Sequence, residues 1–264
     1  RVQKCVRNRP TTASGNCRNT APMTPLIVSN SDGGGGAARA AARLYRALLA
    51  ADIPARMRVR YKSGDVPTAE GPGNGYGRIA GKLRLATGDL YKLLQKTTNS
   101  APHSVNRVPS RWASLLDASD ADVINLHWLG DETMSIEDIG RIRKPVVWTL
   151  HDMWPFCGAE HLAQDLPGAR WRTGYSAGNR HPLDSGIDLD LLTWRRKQRA
   201  WQRPIQLVTP SNWLASCARE SALMAGWPLA VIPNPLDTDR YRPLDRAFCR
   251  HELGLPQEGM LAIF

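Results

Sequence analysis

A histidine and an aspartate, His151 and Asp152, stand directly after the apolar run Val146 to Leu150 in the segment PVVWTLHDMWPFCGAEH. An imidazole beside a carboxylate can hold or relay a proton, or stabilise charge that develops on a bound substrate. The pair can equally be a structural ion pair, since those also gather at strand ends. Two more imidazoles stand in comparable places: His127 ends the apolar run DVINLH and is followed by Trp128, and His161 closes the loop after His151. A second kind of chemistry is offered by Gly33, Gly34, Gly35 and Gly36, which separate LIVSN from an alanine-rich segment. Glycines between a strand and a helix let backbone N–H groups approach a phosphate, and the helix N-terminus adds favourable partial charge. The dinucleotide pattern G-x-G-x-x-G is not met, because Gly34 and Gly36 are followed by Arg39 at the third place. A turn that merely eases helix packing is the competing reading of this run.

These residues need elements to position them. Short β-branched runs at 26–30, 55–60, 122–127, 146–150, 205–209 and 229–232 read as strands, with helical patterns between them. The helices are expected at 37–51, at 78–97, near Trp112, after Ser135, after Asp188 and after Ser211. Ser135 with Asp138 has capping-box spacing, and Asp188 and Asp190 at the start of LLTWRRKQRAWQR suit the helix dipole. Alternation of strand and helix predicts an α/β fold: a Rossmann-like parallel sheet with helices on both faces. In such a sheet ligands bind beyond the carboxyl ends of the strands, where His127, His151 and the glycine run all fall. Residues 62–77 read as a long mobile loop, and 163–187 as a large irregular loop over the sheet edge. Residues 233–245, PNPLDTDRYRPLD, have the composition of an interdomain linker. Beyond a short helix, Met260 to Phe264 read as an orphan opening strand of a second domain.

The chain has 264 residues, 42% of them apolar, which suffices for a substantial core. Its formal charge is +11, of which five basic side chains lie in residues 1–22, leaving +6 for the remainder. Residues 1–22 are expected to be a disordered basic extension, and residues 23–232 the main domain. A basic balance suggests anionic partners. Nucleic acid is not expected among them, because the basic run at 191–203 lies on one helix, reads as a solvated face and belongs to no recognised nucleic-acid module. The amphipathic segment 78–97, with Ile79, Leu83, Ala86, Leu90 and Leu94 among Arg78, Lys82, Lys92 and Lys96, fits an anionic membrane surface or an ordinary surface helix, although Gly81 and Gly88 weaken it. The five cysteines are odd in number and form no C-x-x-C pair, which argues for a reducing, cytoplasmic compartment. No apolar run reaches the roughly 20 residues that span a bilayer.

The order of SDGGGGAARAAARLYRAL, DVINLHW, KPVVWTLHDMWPFCGAEH, VTPSNWLA and VIPNPLDTDRYRP resembles the N-terminal half of family 4 glycosyltransferases of the GT-B architecture, close to those that build bacterial exopolysaccharides such as colanic acid. The resemblance covers about residues 26 to 264. It implies an N-terminal Rossmann-like acceptor domain at 23–232, followed at 233–264 by the linker and first strand of a truncated donor domain. It further implies retaining transfer of a sugar from a nucleotide-sugar to a glycan or polyprenyl-linked acceptor, with no metal and no cofactor; the basic segment 78–97 is what would hold the chain peripherally at the inner face of the plasma membrane. By the same resemblance Gly33 to Gly36 face the donor phosphates and His151 lies beside the donor sugar with Asp152 orienting its ring. His127, Trp128, His161, Ser211 and Asn234 are cleft or acceptor candidates. Where relatives have Gly-Gly-Cys-His-Tyr and further cysteines, this chain reads Cys157, Gly158, Ala159, Glu160, His161, Leu162. The paired glutamates and phosphate-binding Arg and Lys of the family's second domain are absent, and the isolated chain is expected to be inactive.

Three other readings compete. A dinucleotide-binding oxidoreductase or epimerase shares the strand, glycine loop and helix. A non-catalytic half-domain that holds a glycan or glycolipid fits the missing second domain. A metal site at His151, Asp152, Cys157 and His161 has helical spacing between its last two members, but in a loop that bears proline and glycine.

Overall fold

Alternation along the first strand sets the architecture, because Leu26 and Val28 point to one side while Ile27 points to the other. The computed structural model describes residues 22–72 and 75–262, so residues 1–21, most of the expected basic extension, lie outside it. Within it the elements run β1 (Pro25–Ser31), α1 (Gly36–Ala50), β2 (Arg56–Tyr61), α2 (Gly75–Lys92), β3 (Gln95–Lys96), α3 (Trp112–Asp117), β4 (Val123–Leu126), α4 (Ile136–Arg141), β5 (Val146–Thr149), α5 (Arg170–Thr173), β6 (Ser185–Gly186), α6 (Leu189–Ala200), β7 (Gln206–Thr209), α7 (Asn212–Glu220), β8 (Leu229–Val231) and α8 (Arg246–Glu252). Six strands form one parallel sheet in the order β2-β1-β4-β5-β7-β8. This is the Rossmann-like α/β fold expected from the alternation.

One core joins Leu26, Val28, Leu126, Trp148 and Leu207 to Leu116 of α3, Ile139 of α4 and Trp194 of α6. The other joins Ile27, Met57 and Val59 to Ala41, Ala42 and Tyr45 of α1. Helices therefore cover both faces. Capping follows the sequence signals: Ser135 Oγ accepts from Asp138 N, Asp188 from Leu191 N, and Ser211 from Leu214 N.

Four expectations change. Residues 163–187 are not simply an irregular loop over the sheet edge, because Trp171 is fully buried in the main core with its ring tilted against that of Phe156, and β6 pairs antiparallel with β3. The basic run of α6 is not one solvated face either: Arg195 and Arg199 are exposed, Arg196 pairs with Glu137 at 2.7 Å, and Lys197 is wholly buried. Residues 260–262 form no strand, and Met260 is fully exposed, consistent with a segment that has no neighbouring strand to satisfy its backbone. Phe264 lies outside the described residues.

The fourth change concerns α2, which faces the domain the other way round from its apolar pattern. Gly81 and Gly88 are buried, and a Cβ added there would come within 3.2 Å of the Tyr61 ring and 2.8 Å of Glu132 Cγ. Between them Arg84 donates to the carbonyls of Val108 and Glu132. Small residues and an arginine thus form the contact face, and Ile79, Leu83 and Leu90 are left in solvent.

Candidate functional site

The chain leaves β1 for β2 on one side and then crosses to β4 on the other, so the order reverses between β1 and β4. A crevice opens at such a point beyond the carboxyl ends. Here it is a cavity of about 330 Å³ lined among others by Asn30, Gly33, Gly35, Trp128, His151 and Asp152.

The glycines make one wall. At Gly33 a Cβ would fall 1.7 Å from Asp65 Oδ2 and 2.7 Å from Ser63 Oγ, so a side chain there would displace those of Asp65 and Ser63. Gly34 has φ +89°, the left-handed region that glycine enters freely. Gly35 is the N-cap of α1 and has no side chain to cap it, which leaves the first N–H groups of a fifteen-residue helix open at the cavity. Beneath them Asp32 is buried and accepts from Ser63 N, Ser63 Oγ, Gly64 N and Val66 N. Burial works to raise its pKa, but those hydrogen bonds together hold the carboxylate below its ordinary value.

The imidazoles make the opposite wall, and they form a chain. Asn125 donates its amide to Val147 O and Thr149 Oγ1, which turns its Oδ1 toward His127 Nε2 at 2.8 Å. His127 Nε2 is therefore the donor, its Nδ1 accepts from His151 Nε2 at 2.9 Å, and His151 Nδ1 is left as an acceptor without a partner among the described residues. The two rings stack with centroids 5.1 Å apart. Burial, and for His127 also the neighbouring His151, disfavours the charged forms: His127 falls well below its ordinary pKa and His151 falls to about 4. Both rings are neutral near pH 7.

Asp152 does not orient His151. Its Oδ2 receives His161 Nδ1 at 2.6 Å and Trp128 Nε1 at 2.7 Å, and its Oδ1 receives Trp154 N. His161 Nε2 lies 2.7 Å from Ser104 Oγ, and its ring lies between those of Trp128 and Trp154. His127 takes the role expected of Asp152, because β4 and β5 are neighbours in the sheet and His127 and His151 stand one and two residues beyond their carboxyl ends. The structure thus brings together Gly33, Gly35, Gly36, Trp128, His151 and Asp152 around the cavity, with His127 and His161 behind them, while Gly34 shapes the turn without lining it. Ser211 caps α7 at the end of β7 and Asn234 follows β8; both are exposed on the same edge and neither lines the cavity. Asn125 and Ser104 escaped sequence reading, since nothing local marks an asparagine in a strand or a serine in a loop as the support of an imidazole.

The metal set of His151, Asp152, Cys157 and His161 is not assembled. His151 faces His127, while Cys157 is buried in the main core with its thiol pushed well above its ordinary pKa by burial.

The model of the family described as Glycosyltransferase Family 4 matches residues 34–240. Two crystal structures of Anabaena HepE, one in complex with UDP and glucose and one with UDP, are similar at 14% and 13% identity with TM-scores of 0.44 and 0.41. They cover 88% and 89% of this chain but 50% of each HepE chain, so this chain spans about half their length. A comparison with curated proteins gives no match.

Proposed function

Because the chain belongs to glycosyltransferase family 4, we propose that it forms the acceptor-side half of a retaining enzyme that moves a sugar from a nucleotide-sugar to a glycan or polyprenyl-linked acceptor. The observation that carries this reading is one cavity with an uncapped helix N-terminus on one wall and a neutral, sequestered imidazole on the other. The leaving group is a nucleoside diphosphate, and the N–H groups at Gly35 and beyond are placed to stabilise the charge it gains. Neutral His151 offers Nδ1 to a sugar hydroxyl and adds no charge of its own. Asp152, His161 and Ser104 hold Trp128 as a fixed wall for the sugar or acceptor. The donor is a substrate, and no cofactor or metal takes part in this step.

The oxidoreductase reading gives way to the family match. Closure over the open cavity is assigned to a donor-binding domain, which would position the reactants and exclude water. The test is transfer from a panel of nucleotide-sugars to polyprenyl-linked acceptors, by the chain alone and mixed with a donor-binding half. Turnover only on mixing is expected. Turnover by the chain alone would refute the two-halves reading, and acceptor binding without transfer in the mixture would favour the glycan-binding module.

We further propose peripheral attachment to an anionic bilayer through α2. No helix among the described residues is long and apolar enough to cross a membrane. Instead Ile79, Leu83, Leu90 and Leu93 are 59–77% exposed beside the exposed Arg78, Lys82 and Lys96, whereas Lys92 is tied to Asp89. Such a face inserts shallowly and gains from anionic headgroups. The chain should co-sediment with anionic vesicles at low salt and lose most of that binding in Leu83→Asp or in high salt; binding indifferent to both would refute the assignment.

A further inference from the structure

Away from the cavity, an imidazole and two carboxyl groups converge on a buried point. His103, Glu160 and Asp190 each bring a nitrogen or oxygen within 4.8 Å of the others'. His103 Nδ1 is 2.7 Å from Ala101 O and donates to it, so in the neutral ring Nε2 carries the lone pair. That Nε2 has no hydrogen-bond partner among the described residues and lies 3.7 Å from Asp190 Oδ1. Glu160, 5% exposed, receives the Tyr175 hydroxyl on Oε1, while its buried Oε2 has no partner. Asp190 is held from behind by Gln95 Nε2 at 2.7 Å and by Ala159 N. The nearby cation, Lys197, gives its Nζ to the carbonyls of Trp154, Cys157 and Gly158 and not to these carboxylates.

Two facing carboxylates and an imidazole lone pair present three ligand atoms to one point. We infer that His103, Glu160 and Asp190 form a binding site for one divalent zinc-like cation, with water as a fourth ligand. The donor set of one nitrogen and carboxylate oxygens suits Zn²⁺, and each ligand already has the supporting hydrogen bond that bound ligands show. Tetrahedral ligands about 2.0–2.1 Å from zinc stand roughly 3.4 Å apart, so the three need only a small inward shift. The ion would tie the 101–106 segment, the loop before His161 and α6 together, directly behind Ser104 and His161. The competing arrangements are a proton held between Glu160 and Asp190, where burial and the Asp190 charge raise the Glu160 pKa, and an imidazolium at His103 beside Asp190.

The test is zinc content of the whole chain by elemental analysis after dialysis against Zn²⁺ and then buffer, with thermal unfolding in parallel. About one zinc per chain is expected, with Tm lowered several degrees by a chelator. Glu160→Gln and His103→Gln should retain none and unfold at a temperature indifferent to zinc. Wild-type chain without zinc, zinc retained in both variants, or Glu160→Gln unfolding at or above the zinc-treated wild type would overturn the inference, the last pointing to the shared proton. If both variants fail to fold, zinc-edge X-ray absorption of the wild type decides: nitrogen and oxygen ligands support the site, and a sulfur ligand moves it to a cysteine and overturns it.

Discussion

Replacing His151 by alanine should lower kcat on the order of 10²-fold in the enzyme assembled with its donor-binding half, with the acceptor KM changed only a few-fold. A group that interacts mainly in the transition state shows its loss in kcat, and removing one well-placed hydrogen-bonding group from a water-excluded site costs about that much. The ring is held by His127, which is itself fixed by Asn125, so its geometry is set before substrate arrives. His127→Phe should therefore give a smaller loss of the same kind. The pH dependence follows from the neutral ring. The folded pKa of about 4 lies below the unfolded value of roughly 6.5, so below pH 6.5 the unfolded chain takes up a proton that the folded chain refuses. The stability from this ring is then fully present above pH 6.5 and lost as pH falls through about 4. Activity should hold through pH 6 and fail only in the acid limb. An unchanged kcat in His151→Ala, or an activity titration near pH 6.5 that this variant abolishes, would sink the assignment.

The largest effect on stability should come from Lys197→Ala, about 3–5 kcal/mol, the usual cost of breaking a buried charged network from one side. Lys197 is 0% exposed, its ammonium satisfies three carbonyls, and it stands 3.9 Å from the centre of the Trp154 ring. Truncation leaves those carbonyls without donors and opens a cavity beneath the segment that joins Asp152 to His161. In a domain of this size the shift in Tm is on the order of 10 °C. Lys197→Met fills the space but restores no donor, so it should lie between the two. A Tm within about 2 °C of wild type in Lys197→Ala, read by calorimetry, would contradict this account.

The strands were legible because apolar alternation and β-branched runs are local signals, and the glycine run was legible because its place between strand and helix is enough. What stayed hidden depended on contacts far apart in sequence. The apolar stripe of α2 fits a membrane surface or an ordinary surface helix equally until Gly81, Arg84 and Gly88 are seen against Tyr61 and Glu132. His151 and Asp152 read as partners because they are adjacent, yet successive residues point apart, and each finds its partner elsewhere, His151 in His127 and Asp152 in His161 and Trp128. Lys197 reads as one more charge in a basic run, and only the loop folded over α6 makes it a core residue.

The central claim, that the carboxyl-edge cavity receives the phosphates of a nucleotide-sugar at the start of α1, is tested most directly by titrating nucleoside diphosphates into wild-type chain and Gly35→Asp. Gly35 has φ −80° and ψ 168°, a conformation that suits an aspartate N-cap, and a Cβ there meets nothing within 4 Å. The variant should therefore fold with a Tm equal to or slightly above wild type, while its carboxylate occupies the N–H groups and repels the phosphates. The account predicts a Kd raised at least about tenfold by the lost charge-assisted hydrogen bonds, and equal affinity in a folded Gly35→Asp chain would contradict it.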